Sequence, residues 1–112
     1  MNKTYLLDRV SFDMFRNFPL PMTVNKVDSW YFCSIVNTDS TLVNALRSKT
    51  SADLINEICD TRLKPHRIKV KIKPGDVILD ISVNRRLPKM HTLDDIAKLI
   101  DSGKISFYEV LI

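Results

Sequence analysis

The segment between residues 67 and 83 constrains the fold most, because it carries two strand-like patterns joined by a turn. From 67 to 73, Ile and Val alternate with Arg and Lys, which predicts a strand with one apolar and one cationic face. Residues 73–76, Lys-Pro-Gly-Asp, have the composition of a tight turn. The run from Val77 to Val83 then places apolar residues on one face again. We therefore predict an antiparallel hairpin near residues 68–83.

The rest of the chain alternates between strand-like and helix-like segments. Further strands are predicted at 3–8, 22–27, 41–46 and 104–112. Helices are predicted after Ser11 and at 28–36, 52–59 and 92–102. Strands interleaved with helices are typical of the α/β class. We predict a single domain, 1–112, built on a mixed sheet of about five strands flanked by helices. The sequence leaves the order of the strands open.

Two of the predicted helices have apolar faces that we expect to pack on the sheet. One face comprises Trp30, Cys33 and Val36, and the other comprises Leu93, Ile96, Ala97 and Ile100.

Composition limits where the protein acts and what it binds. Hydrophobic residues make up 45% of the chain, but no apolar run approaches the roughly 18–20 residues that span a bilayer. The apolar segment near the N-terminus is too short for a signal peptide, so we expect an intracellular protein without membrane contact. The net charge is +4, and nine of the Lys and Arg residues lie between 61 and 91 against two acids there, Asp76 and Asp80. This excess is compatible with an anionic ligand.

The segment that precedes the third predicted helix is a candidate anion site. Thr50 lies three residues before Asp53, which is the spacing of a capping box. The start of a helix presents unpaired N–H groups and a partial positive charge, and Arg47 and Lys49 add full charges beside it. The candidate ligand-binding residues here are Ser48, Lys49, Thr50 and Ser51. The alternative is an ordinary capped helix with solvated cations in front of it.

Several kinds of chemistry are excluded by the residues present. The chain has only two glycines, so it has no glycine-rich phosphate loop or dinucleotide fingerprint. Two cysteines (Cys33, Cys59) and two histidines (His66, His91) are too few and wrongly spaced for structural zinc. We expect neither a metal nor a cofactor. The cysteines are compatible with two buried thiols or with a disulfide.

Three arginines are the best candidates for contact with phosphate. Arg67 begins the cationic strand, and Arg85 and Arg86 follow its predicted hairpin partner, so folding would bring them together. Guanidinium groups bind phosphate in a bidentate manner. For Lys69, Lys71 and Lys73, which share the cationic face, a solvated surface is the favoured interpretation.

With these residues in view, the chain from Lys3 to about Val110 resembles the viral ring nucleases, a type III anti-CRISPR family of small α/β proteins from archaeal viruses. The matching stretches are Asn2-Lys3-x-Tyr5-Leu6, Ser11-Phe12-x-Met14, Phe18-Pro19, Val27-Asp28, Phe32-Cys33, Leu42-Val43-Asn44-Ala45, Leu54-Ile55-Asn56, Ile58-Cys59, Arg67-Ile68-x-Val70, Ile81-Ser82, Arg86-Leu87 and Ser102-Gly103-Lys104-Ile105-x-Phe107-Tyr108-Glu109.

The resemblance implies a homodimer that binds cyclic tetra-adenylate, a host second messenger of antiviral defence, across a two-fold axis in the host cytoplasm. In such enzymes a ribose 2′-OH attacks the adjacent phosphate without a metal ion, and a histidine protonates the leaving oxygen. The family's serine falls on Ser11, its strand arginine on Arg67 and its loop arginine on Arg86 or Arg85. The family has cysteines at the positions of Cys33 and Cys59 and is often found in hosts that are hyperthermophiles, which gives a disulfide equal standing with two free thiols.

The sequence departs from the family where the histidine belongs. The family has Gly-His-Asp-Ser-Thr at the positions that read Arg47-Ser48-Lys49-Thr50-Ser51 here, so Ser48 replaces the histidine. We therefore predict a binder of cyclic oligoadenylate with weak or absent ring opening. In the first alternative, a nuclease uses another acid, Lys49 or His91, with Arg67 and Arg86 as catalytic partners. In the second, a nucleic-acid- or protein-binding module relies on the cationic strand.

Overall fold

The computed structural model describes residues 2–15, 19–83 and 93–112. Its strands are β1 (Thr4–Leu7), β2 (Thr23–Val27), β3 (Leu42–Asn44), β4 (Val77–Val83) and β5 (Ile105–Leu111). Its α-helices are α1 (Ser29–Thr38), α2 (Lys49–Cys59) and α3 (Leu93–Asp101), and a 3-10 turn spans Phe12–Met14.

The five strands form one mixed sheet in the order β2-β5-β4-β1-β3. β1 is parallel to both β3 and β4. β5 is antiparallel to both β2 and β4. The predicted fold, a five-stranded mixed α/β sheet flanked by helices, is therefore confirmed.

Each face of the sheet has its own apolar core. On the helix side, Leu6, Leu79 and Ile81 are fully buried beneath the helices. Phe32 of α1 packs there against Phe107 of β5, with ring centroids 4.6 Å apart. On the opposite face a second cluster is covered by irregular chain; it contains Tyr5, Leu7, Met14, Phe15, Val70, Ile72, Ile78 and Val110. Full burial of a large apolar side chain contributes about 1.5–3 kcal/mol, so both faces stabilise the sheet.

The predicted hairpin near residues 68–83 is wrong as a pairing, although the turn and the burial pattern within it are correct. Val70 and Ile72 are buried and Lys69, Lys71 and Lys73 are exposed, as the alternation predicted. However, β4 already has a neighbour on each side, β1 and β5, so no edge of β4 is open to the preceding segment. That segment instead crosses to the second core, where Ile72 forms an isolated parallel bridge with Phe15.

The buried Asp76 stabilises the turn that precedes β4. Its carboxylate accepts hydrogen bonds from the backbone N–H of Lys73, at 2.9 Å, and from that of Lys3, at 3.0 Å. Gly75 has φ 91° and donates its N–H to the carbonyl of Ile112 at 2.7 Å. The turn is therefore hydrogen-bonded to the residue before β1 and to the last residue of the chain, and it does not close a hairpin.

Two predicted helix faces need correction. Trp30 is 78% exposed, because Phe32 is the side chain of α1 that faces the sheet and a residue two positions earlier lies on nearly the opposite side of the helix. In α3, Ile96 and Leu99 are buried, whereas Leu93 and Ala97 are exposed.

A disulfide joins two of the helices that cover the sheet. Cys33 of α1 and Cys59 of α2 are bonded and lie 26 residues apart in the sequence. Of the two alternatives that the sequence left open, the structure therefore has the bonded pair.

Candidate functional site

The parallel strands bring the ends of three chain segments to one side of the sheet. β1 ends at Leu7, β3 at Asn44 and β4 at Val83, and all three strands run in the same direction. We call this side, with Asp8 and residues 45–48, the carboxyl edge. In open α/β sheets, ligands bind outside the carboxyl ends of the strands, so this edge is the expected location of a site.

Asp8 is the acid that holds the loop before α2. Its carboxylate accepts hydrogen bonds from the backbone N–H of Arg47, at 3.0 and 3.2 Å, and from that of Ser48, at 2.9 Å. These two donors are therefore already paired with a negative charge of the protein itself. Asp8 was not predicted as a site residue, because a lone acid after a strand carries no signal in the sequence.

Helix α2 begins earlier than predicted. Its N-cap is Ser48, whose Oγ accepts from the Ser51 N–H at 3.1 Å, so the predicted capping box from Thr50 to Asp53 is wrong. Asp53 instead forms an ion pair with Lys49 at 2.7 Å. The reason is that serine caps a helix from the position directly before its first turn, and the helix begins at Lys49.

The predicted ligand-binding residues of this segment differ in accessibility. Ser51 is buried, and its hydroxyl lies 2.9 Å from that of Ser48. Lys49 and Thr50 are exposed on the first turn of α2. The accessible groups at the helix start are therefore Lys49 and Thr50, whereas Ser51 acts within the cap.

Arg67 lies against the same loop, as the sequence predicted for two parts of one site. Its Nε donates to the backbone carbonyl of Arg47 at 3.0 Å. The neighbouring His66 is fixed to β3, because its Nδ1 lies 3.0 Å from the carbonyl of Asn44. The segment before Val70 therefore runs beside the carboxyl edge and presents the Arg67 side chain there.

Ser11 reaches the same region through Asp13. The Ser11 hydroxyl donates to the Asp13 carboxylate. This hydrogen bond holds the pKa of Asp13 below its ordinary value, and the charges of Arg47 and Lys69 lower it further. Asp13 is thus hydrogen-bonded to Ser11 and lies in the field of Arg47 and Lys69, and the carbonyl of Arg47 accepts the hydrogen bond from Arg67.

Arg85 and Arg86, together with His91, lie outside the described residues. In the sequence, Arg85 and Arg86 follow Val83, the last residue of β4, by two and three positions. β4 ends with Val83 at the carboxyl edge, which is the reason to expect the two arginines in the site. Because they lie outside the described residues, their placement there stays a prediction.

Asp80 was counted in the sequence only as one of two acids in the basic segment and was not predicted to belong to a site. It lies in β4, opposite Leu7 of β1 and Tyr108 of β5, and its Oδ1 is buried without a hydrogen-bond partner among the described residues. Burial, with a smaller effect of Asp8, raises its pKa to about 7. The available signal was an acid within the mainly apolar run Val-Ile-Leu-Asp-Ile-Ser-Val, which is rarely tolerated without a reason.

A groove of about 660 Å³ lies beside the carboxyl edge, between α2 and residues 61–65. Its cationic lining residues are Lys49, Arg62 and Lys64. Within residues 2–15, 19–83 and 93–112, no group of three or more His, Cys, Asp or Glu side chains is arranged to hold a metal ion. In the same ranges, no helix combines the length and hydropathy needed to cross a membrane.

The fold and the carboxyl edge define a small α/β protein with several cationic side chains around one helix start. Comparison with known proteins identifies the family. The STIV B116-like family model matches residues 4–106, and the chain belongs to this family of small archaeal virus proteins.

Two relatives show how closely the chain follows this family. It is 35% identical over 107 residues to the protein ORF116 of Acidianus filamentous virus 1, covering 94% of this chain and 91% of that protein. It is 34% identical to the solved structure of B116 of Sulfolobus turreted icosahedral virus, with a TM-score of 0.91, covering 99% of this chain and all of that one.

Proposed function

We propose that this protein is a dimeric binder of cyclic tetra-adenylate that acts within the infected host cell and opens the ring slowly or not at all. Such a protein would counter type III CRISPR defence by withholding the messenger. The proposal rests on the resemblance to viral ring nucleases and on the position of Arg67 against the loop before α2 at the carboxyl edge, with Ser11 three residues after Asp8 of the same edge.

The position of Arg67 is the observation that carries the proposal. Its contact with Arg47 uses only Nε, so among the described residues both terminal nitrogens of the guanidinium are unpaired. A guanidinium held at one nitrogen presents its remaining N–H donors in a fixed plane, which suits the oxygens of a phosphodiester. Lys69, two residues further along the same segment, is exposed, and Lys49 is exposed at the start of α2 in an ion pair with Asp53.

The backbone N–H groups of Arg47 and Ser48 are not available to a phosphate, because both donate to the Asp8 carboxylate. This acid already complements the helix dipole. Side-chain cations are therefore expected to dominate the binding of phosphate, and affinity should fall as salt is added.

Ser48 is the reason to expect weak cleavage. Its hydroxyl caps α2, and a serine hydroxyl does not protonate a leaving oxygen at neutral pH. The loss of a general acid typically lowers a rate by a factor on the order of 10²–10⁴. Binding and cleavage are thus separable in this protein, and we expect only binding to persist.

Replacement of Arg67 tests the proposal. We expect Arg67→Ala to weaken the binding of cyclic tetra-adenylate at least about tenfold, since a hydrogen bond to a charged group contributes about 1.5–3 kcal/mol. Lys71→Ala, which removes an exposed cation from the same segment, is the matched control and should have a much smaller effect. Equal affinity of the wild type and Arg67→Ala in a calorimetric titration would refute the assignment of Arg67.

A second candidate function is the binding of nucleic acid through the exposed lysines at 69, 71 and 73. The structure leaves all three exposed on an extended segment, as a phosphate-tracking surface requires. Neutralisation of phosphates by lysines makes affinity fall steeply with salt. The double variant Lys71→Ala, Lys73→Ala, which keeps Lys69 of the proposed site, should strongly weaken binding of a DNA duplex if this function is real, and leave cyclic tetra-adenylate binding largely intact.

A further inference from the structure

Phe12 is the most exposed large apolar side chain among the described residues, at 83%. Its exposure follows from a fixed backbone. The 3-10 turn is closed by hydrogen bonds from the Met14 N–H to the Ser11 carbonyl and from the Phe15 N–H to the Phe12 carbonyl, both at 3.1 Å. Met14 and Phe15 are anchored in the second core, so Phe12 projects into solvent.

The neighbours of Phe12 are polar and charged. It lies between Ser11 and Asp13, and the parallel bridge between Phe15 and Ile72 brings the segment that carries Arg67 and Lys69 alongside the turn. An aromatic face beside cations is the combination that binds nucleotides, because bases stack on aromatic rings while cations contact the phosphates. Phe12 is thus positioned to contact a base, while the arginines and lysines contact the phosphates.

We infer that Phe12 is a stacking platform for an adenine base of the bound ligand. This inference rests on the proposed function and adds to it the residue that recognises the base. Each adenine has a flat apolar face that a phosphate-binding cluster alone would leave in water.

Charge favours a nucleobase over a second copy of the chain as the occupant of this surface. The cores of protein–protein interfaces are depleted of charged residues, whereas Phe12 is followed directly by Asp13 and the segment bridged to its turn carries Arg67 and Lys69. A nucleotide brings its own negative charges to such cations.

The test compares two ligands across matched variants. Affinities for cyclic tetra-adenylate and for inorganic tripolyphosphate, which lacks bases, are measured for the wild type, Phe12→Ala, Phe12→Tyr and Trp30→Ala. Trp30, exposed on α1 at the helix side of the sheet, is the control aromatic. We expect Phe12→Ala to weaken cyclic tetra-adenylate binding about tenfold or more and tripolyphosphate binding less than about twofold. Phe12→Tyr and Trp30→Ala should bind both ligands like the wild type.

Each other outcome has a definite meaning. Unchanged binding of cyclic tetra-adenylate by Phe12→Ala overturns the stacking role while the proposed function stands. An equal loss for both ligands, or conversion of a dimer into a monomer, assigns Phe12 to the fold or to a subunit contact and also overturns it. Failure of the wild type to bind cyclic tetra-adenylate refutes the proposed function itself, and the stacking role with it.

Discussion

Under the proposed function, Ser48 is the residue whose side chain separates ligand binding from catalysis. In this protein its hydroxyl stabilises the start of α2 by accepting the Ser51 N–H. In the ring nucleases that the sequence resembles, histidine at this position protonates the leaving oxygen. The same backbone position can therefore serve a structural or a chemical purpose.

We predict that Ser48→His introduces or accelerates ring opening of cyclic tetra-adenylate. The gain should be on the order of 10²-fold or more, because it restores a general acid near neutral pH. Loss of the cap should lower stability by about 1 kcal/mol. Chromatography of the products over time measures the gain, and Ser40→His, at an exposed position in the turn after α1, is the control. No gain from a folded, ligand-binding Ser48→His would contradict the role assigned to this position.

Asp80 gives the stability of the protein a specific dependence on pH. Its folded-state pKa of about 7 lies above the ordinary 3.8, so the folded protein keeps this proton over a range in which the unfolded chain has lost it. Stability therefore falls as the pH rises from about 4 to about 7, by an amount on the order of 4 kcal/mol for this group alone.

We predict that Asp80→Asn removes much of this slope and raises the free energy of unfolding at pH 8. Asparagine has nearly the same shape but carries no charge to desolvate. Urea unfolding at pH 5 and pH 8 measures the effect, with the exposed Asp101→Asn as the control. Parallel pH profiles of the wild type and Asp80→Asn would show that Asp80 does not carry the dependence.

The sequence predicted some features of the site and not others, for a physical reason. Arg67 and the loop before α2 were expected together, and the structure joins them through the Arg47 carbonyl. Asp8 was missed because its role depends on backbone donors from a segment 39 residues away. Local patterns reveal charge and helix starts, but they do not reveal which distant donors a single acid will meet.

At the scale of elements, residues 67–73 show what an alternating pattern specifies. It fixed which side chains are buried, and Val70 and Ile72 are indeed buried. The pattern did not specify which strand β4 pairs with. The neighbours of β4 are β1, which lies about 70 residues earlier, and β5, which follows α3. Strand order depends on these long-range pairings.

We predict that the disulfide between α1 and α2 stabilises the fold by about 3 kcal/mol. A bond that closes a loop of this length removes conformational entropy from the unfolded chain. A reducing agent should lower the free energy of unfolding of the wild type by this amount and leave a Cys33→Ser, Cys59→Ser double variant unchanged. Two free thiols in protein purified without reductant would contradict the pairing.

At the scale of the whole molecule, the described cations of the proposed site, Arg47, Lys49, Arg67 and Lys69, lie around the carboxyl edge of one chain. A cyclic tetranucleotide has four phosphates, and one chain offers a set of cations on one side only. A two-fold axis would supply a second, identical set to the opposite side of the ring. This is why the proposal requires two chains for each ligand.

The most direct test is a calorimetric titration of the wild-type protein with cyclic tetra-adenylate. The ligand is then recovered from the calorimeter cell and its products are separated by chromatography. We predict saturable binding of one ring per two chains and ligand that is recovered intact. Binding of one ring per single chain would contradict a site shared between two chains. The absence of binding at high protein concentration would contradict the proposed function as a whole, and rapid conversion to linear fragments would contradict the loss of the proton donor.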